Sequence, residues 1–311
     1  MMEYRQLGAT SLRLPVAGFG AATFGDVYGQ IDPAEANSAV HFAIDEGINY
    51  FDVSPYYGLT VAETRLGEAL AGHRDRVVIS TKCGRYGANS FDFSGRRIAA
   101  SIDESLQRLR TDHVDLLLAH DVEFGNIRQV VDETIPAMRK IQQQGKARYI
   151  GISGYPLSTL VAIASQVPVD AVLTYCRYNL MIDDMDAILT PFAKKHNIGI
   201  VNASPLHMGV ITAGGAPNWH PAPQQVREAG KRVVELCKAR GVDAAEVALR
   251  YCFDYASVTS TLVGMATRKQ VETCLKSLRQ PNDPELLEEI RAVVAPVYNY
   301  VWPSGTIDAD G

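Results

Sequence analysis

The chain has 311 residues, 47% apolar and 21% charged, enough for a large core and within the range where one α/β barrel forms a single domain. Its net charge of −5 offers no positive field for nucleic acid or an anionic membrane. No run approaches the ~20 apolar residues of a membrane span, and the opening MMEYRQLG has no apolar segment of a secretory signal, so a cytoplasmic setting is expected.

In chain order, YRQLGATSLRL alternates weakly around a Gly-Ala-Thr-Ser turn and predicts an N-terminal hairpin. Strand and helix patterns then take turns. VAGFG (16–20) reads as a strand and 33–47 as a helix. INYFDVS is the next strand, followed by the helix AETRLGEALAG. VVISTK (77–82) precedes the helix 96–110, whose Ile98, Ile102, Ser105 and Leu109 form one sheet-facing stripe. VDLLLAH (114–120) leads to a helix from about 127 to 144, in which Pro136 must start a new helical stretch or kink the old one. RYIGIS (148–153), AVLTYC (171–176) and IGIVNAS (198–204) are the next strands, with helices near 157–166 and 184–196 between them. The second of these shows Met185, Ile188, Leu189 and Phe192 at helical spacing. A long loop covers 207–223, helices 225–240 and 244–255 follow, and TLVGM (261–265) is the eighth strand. A helix over 268–279 and a C-terminal extension with another helix and APVYNYVWPSG complete the chain.

Eight strands alternating with helices predict an α/β fold, a (β/α)8 TIM barrel formed as one domain over residues 1–311, with an N-terminal hairpin and a C-terminal extension. The competitor is an open doubly wound sheet. It needs a spaced glycine fingerprint running directly into a helix, which GFGAATFG (18–25) does not provide.

Asp52, Lys82 and His120 each stand where an apolar strand runs out, and Tyr57 lies just past Asp52. In a βα barrel such ends gather at one mouth, so these residues can surround one small molecule. A free phenol ionises near 10. A nearby ammonium favours its phenolate, and a carboxylate can hold that ammonium in place. His120 can hydrogen-bond the substrate oxygen or join the proton path. The set equips an enzyme to move a proton to or from a carbonyl or alcohol oxygen. Five cysteines without CxxC spacing fit free thiols. Seven histidines form no HExxH-like cluster, so no metal site is expected.

DVSPYYG (52–58), STK (80–82), DLLLAH (115–120), GKARYIGIS (145–153) and LVGM resemble the aldo-keto reductase superfamily. The resemblance implies an eight-stranded barrel that uses NAD(P), with Asp52, Tyr57, Lys82 and His120 as its catalytic tetrad. Within the superfamily, TKCGRY, FDFS, SIDESLQRL, HDVEFG, ETIPAM, ASPLHMG, NWHPAP and VWPSG are similar to plant-type L-galactose dehydrogenases. That group oxidises L-galactose at C1 to the lactone with NAD. L-fucose or D-threo-aldose 1-dehydrogenases and pyridoxal 4-dehydrogenase are neighbouring groups.

By the same resemblance, Ser153 and Tyr175 flank the nicotinamide, and Ser204, Leu206, Met208 and Gly209 meet the pyrophosphate and ribose. Gly264, Met265, Ala266 and Thr267 join them after the eighth strand. The chain departs from the family pattern in several places. Gly154 stands for an Asn that grips the carboxamide, Tyr175 for a Gln, Ala203 for a stacking aromatic, and Thr273-Cys274 for an adenine-end Glu-Asn pair. Met265 and Gln270 are uncharged where NADP-preferring relatives carry cations. NAD is therefore the expected cofactor, with Arg268 and Lys269 close by.

The substrate wall is expected from Phe24, Tyr56, Arg85, Tyr86, Asp121, Phe124, Arg177 and Trp302. Asp121 can accept from sugar hydroxyls or pair with an arginine. Trp302 can fold over the mouth or pack on outer helices. The expected partner is a small sugar, taken by a monomer or weak homo-oligomer. Pyridoxal 4-dehydrogenase, a general NAD(P)H-dependent aldehyde or ketone reductase and a nicotinamide-binding regulatory subunit are the alternatives.

Overall fold

The computed structural model describes residues 2–306; Met1 and residues 307–311, at the ends of the expected domain, lie outside the described residues. Eight strands close a parallel barrel. They are β1 (Ala17–Gly20), β2 (Tyr50–Asp52), β3 (Val78–Cys83), β4 (Val114–Ala119), β5 (Ala147–Gly154), β6 (Ala171–Tyr175), β7 (Gly199–Ala203) and β8 (Ser260–Gly264). Each pairs with its chain neighbour, and β8 returns to β1 with Val263 opposite Phe19. The N-terminal hairpin, Tyr4–Gln6 against Arg13–Pro15, closes the far end of the barrel. Its Leu7, Leu12 and Leu14 are buried in one cluster with Tyr50, Leu118 and Val201 from the barrel interior.

The alternation of side chains along each strand explains two apolar layers. Inward residues fill the barrel, while outward ones such as Phe51, Ile79 and Ile152 meet the helices in the largest core cluster. The expected helices form within a few residues of their predicted ends. On Asp184–His196 the buried face is Met185, Leu189, Thr190 and Ala193, whereas Ile188 lies exposed.

Pro136 resolves as a new start preceded by a wide turn. After a short helix at Ile127–Gln129, Val130–Thr134 is π-helical and Ile135–Gln143 is α-helical. Proline has no N–H to donate, and the Ile135 N–H reaches back to Val130 O, a five-residue step. One small element was not anticipated: Arg85–Gly87 and Ser90–Phe91 form a two-stranded ribbon above β3. The C-terminal extension holds the helix Pro284–Val294, then a strap whose Trp302 and Ser304 meet Tyr155 and Glu123 in the loops after β5 and β4.

Candidate active site

The strand ends bring Asp52, Tyr57, Lys82 and His120 together. Asp52 closes β2, Lys82 is the penultimate residue of β3, and His120 follows β4, its N–H donating to Cys83 O at 2.8 Å. Tyr57 sits on a tight loop that leaves β2. Gly58 after it has φ +60, and a Cβ on Gly25 would meet Gly58 N at 2.5 Å. Only glycine permits that conformation and close approach without cost, and it sets the loop after β1 against Tyr57.

Lys82 and Asp52 form a buried ion pair. Such a pair is retained only when its remaining hydrogen bonds are satisfied. Here Lys82 Nζ also donates to Val53 O at 2.9 Å, and Ser80 Oγ donates to Asp52 Oδ2 at 2.6 Å. The ammonium lies 4.8 Å from the centre of the Tyr57 ring. The Tyr57 and His120 rings meet edge-on, with centres 5.7 Å apart.

Burial pushes the Tyr57 phenol well above its ordinary value; Asp52 and Asp121 push it further, and Arg85 pulls it back. The sequence expectation of a phenol eased toward its phenolate by a neighbouring ammonium is therefore reversed in direction: desolvation of the anion outweighs the nearby cations. Burial, then the charges of Lys82 and Arg85, hold His120 well below the usual imidazole range, so it is neutral near pH 7. Its Nδ1 lies 3.0 Å from Ser54 Oγ, which already accepts from the Tyr56 N–H at 3.1 Å. When the Ser54 hydroxyl donates to Nδ1, Nε2–H is the outward donor.

Beyond the tetrad, the residues expected on the substrate wall divide. Arg85, Tyr56, Asp121 and Phe124 assemble beside His120. Arg85 pairs with Asp121, which is buried, and its guanidinium stacks on Tyr56 at 3.8 Å. Phe124 stacks on Phe91 with centres 4.6 Å apart. Trp302 belongs to the strap and lies on Tyr155, centres 4.4 Å apart, with His207 and His220 at its edges. It bridges loops at the mouth and does not pack on the outer helices. Phe24 and Tyr86 are corrections. Phe24 is fully buried and turns edge-on to Phe19, because the 3-10 turn Ala21–Gly25 directs it into the core. Tyr86 turns under Arg97 at 4.1 Å, its hydroxyl accepting from Gly84 N. Arg177 is also withdrawn: buried, it pairs with Asp184.

Sequence reasoning missed Glu123. It is 5% exposed, its Oε1 accepts from the Tyr155 N–H at 3.0 Å and the Ser304 hydroxyl at 3.1 Å, and its Oε2 has no partner. Its backbone oxygen accepts from the Thr306 N–H at 3.1 Å, while Gly305, φ +95, packs so closely that a Cβ would meet that oxygen at 2.4 Å. Burial, then the charge of Asp121, pushes its carboxyl up to about 8. Glu123 thus pins the strap to the loop after β4. Only its place in HDVEFG, next to His120, marked it in the sequence.

A cavity of about 730 Å³ runs from Asp52 and Tyr57 to Gln270. Ser204, Leu206, Met208, Gly209, Gly264 and Gln270 line it. Ser153, by contrast, is buried and bonded to Ala119 O at 3.3 Å, and Tyr175 lies beside Tyr155. The Met265 side chain is sealed in the core, and Thr267 caps the helix Arg268–Ser277. Gln270 completes that cap: its Oε1 accepts from Ala266 N at 2.7 Å and Thr267 N at 3.1 Å. Cys274, at the adenine-end position, is buried in the core. Among the described residues lining the cavity there is neither Lys nor Arg. A cavity of this volume, lined by several glycines and reached by Tyr57, fits a dinucleotide with its reacting end beside the phenol.

Residues 17–295 match the model of the Aldo/keto reductase family. The chain is 44% identical to the L-galactose dehydrogenase of Arabidopsis thaliana over 98% of each chain. It is 28% identical to the D-arabinose 1-dehydrogenase of Saccharomyces cerevisiae, covering 86% of each. An aldo-keto reductase from Bacillus halodurans, solved in its holo form, superposes with a TM-score of 0.80 at 24% identity over 97% of this chain and 98% of that one.

Proposed function

The chain belongs to the aldo/keto reductase family, and from that premise we propose that it oxidises an aldopyranose, L-galactose or an L-fucose-like sugar, at C1 to the lactone. It is an oxidoreductase of a family that uses nicotinamide cofactors. The single observation that carries the sugar reading is the end-to-end similarity to L-galactose dehydrogenase, 98% of both chains. The grouping of Tyr57 with His120 and the Asp52–Lys82 pair, with Tyr57 and Asp52 lining the cavity, supports it.

In this reading the anomeric hydroxyl lies between Tyr57 and His120. The Tyr57 oxygen takes its proton, and the C1–O bond becomes the lactone carbonyl as C1 loses hydride. Bound nicotinamide supplies the acceptor for that hydride. His120 donates from Nε2 to the same oxygen and, being neutral, holds it without adding charge. Lys82, fixed by Asp52 and Val53 O, faces the phenol and compensates the charge Tyr57 carries when ionised. Ser204, Leu206, Met208, Gly209 and Gly264 hold the dinucleotide along the cavity, and Gln270 lines it from the helix cap.

NAD is favoured over NADP on three grounds. The cavity wall carries no cation. Gln270 is committed to the helix cap. Arg268 stacks on Phe42 at 4.0 Å and pairs with Glu272, turned from the cavity. A 2'-phosphate there loses the charge-assisted contacts that justify its desolvation.

Purified protein mixed with NAD and, in turn, L-galactose, L-fucose, D-arabinose and pyridoxal tests the reading at 340 nm. Absorbance rises with the sugars; silence with every aldose rejects it.

A further inference from the structure

Resting on the sugar reading above, the geometry points to Arg85 as the donor to the hydroxyl on the carbon adjacent to the reacting one. The substrate is then a neutral 1,2-dioxygenated chain, an α-hydroxy aldehyde in its hemiacetal form, and the 2-deoxy counterpart is rejected.

The argument starts from what Arg85 has left to give. Its Nη1 pairs with Asp121 and its Nε lies 3.4 Å from Gly87 O. Among the described residues Nη2 has no partner, and it is not one of the buried unpartnered atoms, so it is open to solvent. A guanidinium with one free edge is a planar donor with fixed direction. That direction is set by the cage around it: Tyr56 at 3.8 Å, Phe91 at 5.2 Å and Phe124 at 5.4 Å from its central carbon. The ribbon Arg85–Gly87 with Ser90–Phe91 supplies both Arg85 and one wall of the cage.

Position relative to the chemistry follows from Asp121. Its Oδ2 pairs with Arg85 Nη1 and lies 3.6 Å from His120 Nε2. One carboxylate oxygen therefore links the guanidinium to the imidazole nitrogen that meets the reacting oxygen. Arg85 also acts on both partners at a distance, its charge pulling Tyr57 and His120 downward. When O1 of a sugar sits at His120 and Tyr57, the hydroxyl on the neighbouring carbon is the nearest other hydroxyl, the ring oxygen on C1 being an ether. Asp121, held at φ +51 just past β4, is the positioning residue.

Charge selects a neutral ligand. Asp121 compensates Arg85 and Asp52 compensates Lys82, so among the described residues of the site no free cation remains to hold a carboxylate or phosphate. Tyr155 covers the face of Trp302, which leaves the Arg85 cage as the polar and aromatic surface beside His120.

The test compares kcat/KM for L-fucose and 2-deoxy-L-fucose with NAD, in the wild type, Arg85→Gln and Arg85→Lys. A charge-assisted hydrogen bond corresponds to a wild-type preference of at least about tenfold for the 2-hydroxy sugar. In Arg85→Gln the two sugars converge to within about threefold, both turned over slowly, and lysine, a charge without the planar fork, restores part of the gap. Equal turnover of both sugars by the wild type, which needs no variant to fold, overturns the assignment. So does an undiminished preference in Arg85→Gln. Absence of turnover with any aldose in the wild type removes the sugar reading, and Arg85's role with it; wild-type turnover of both sugars at equal rates removes only the latter.

Discussion

A phenol whose ionisation is pushed upward by burial and two carboxylates determines how the reaction responds to pH. Oxidation needs the phenolate as base, and its share grows tenfold per pH unit below the folded value. The rate of sugar oxidation therefore rises from neutral toward alkaline pH, while the reverse reduction, which uses the phenol, favours lower pH. His120 is already neutral near pH 7, so the profile has no inflection at the usual imidazole value of about 6.5; a pH–rate series in both directions checks both statements. Glu123 adds a stability signature. Its folded value of about 8 lies above the ordinary carboxyl value, so it favours the folded state fully below the unfolded value of about 4.3. That contribution is lost as pH rises through about 8. Glu123→Gln removes the slope, and melting curves from pH 4 to pH 9 show a flatter Tm dependence in the variant. The positions of Asp52, Lys82 and His120 were legible because a polar residue closing an apolar strand has one place to be. Phe24 and Tyr86 were misplaced because the sequence does not encode which way a short turn aims a ring. Glu123 was missed because its partners, Tyr155 and Ser304, are distant in sequence.

The strands and helices were readable because each apolar run or stripe has one partner layer in a barrel. Two exceptions are instructive. The π-turn at Val130–Thr134 was visible only as a misplaced Pro136, since the sequence marks the missing N–H but not how the chain absorbs it. The ribbon at Arg85–Gly87 is too short for periodicity to register. The helix Arg268–Ser277 supports a direct test. Its capping box joins Thr267 and Gln270, and Thr267→Ala lowers stability by about 1 kcal/mol, read as a lower denaturant midpoint with unchanged slope. Gln270→Arg opens the cap and places a cation at the cavity end. The ratio of kcat/KM for NADP to that for NAD then rises about tenfold or more, and an unchanged ratio means that this end does not select the cofactor.

At the scale of the whole molecule, eight consecutive parallel pairings carry residues from β2, β3 and β4 to one rim, and that much followed from counting strands. What counting could not supply was the cross-linking of the rim, by Arg85 with Asp121 and by Trp302 with Tyr155. These contacts join loops whose sequences carry no mutual signal. The central claim, that Tyr57 moves the proton at the end of a dinucleotide cavity, is tested most directly with Tyr57→Phe, which deletes one hydroxyl and keeps the ring. NAD affinity by calorimetry stays within about threefold, while L-galactose oxidation falls at least about 100-fold. An undiminished rate in that variant contradicts the account.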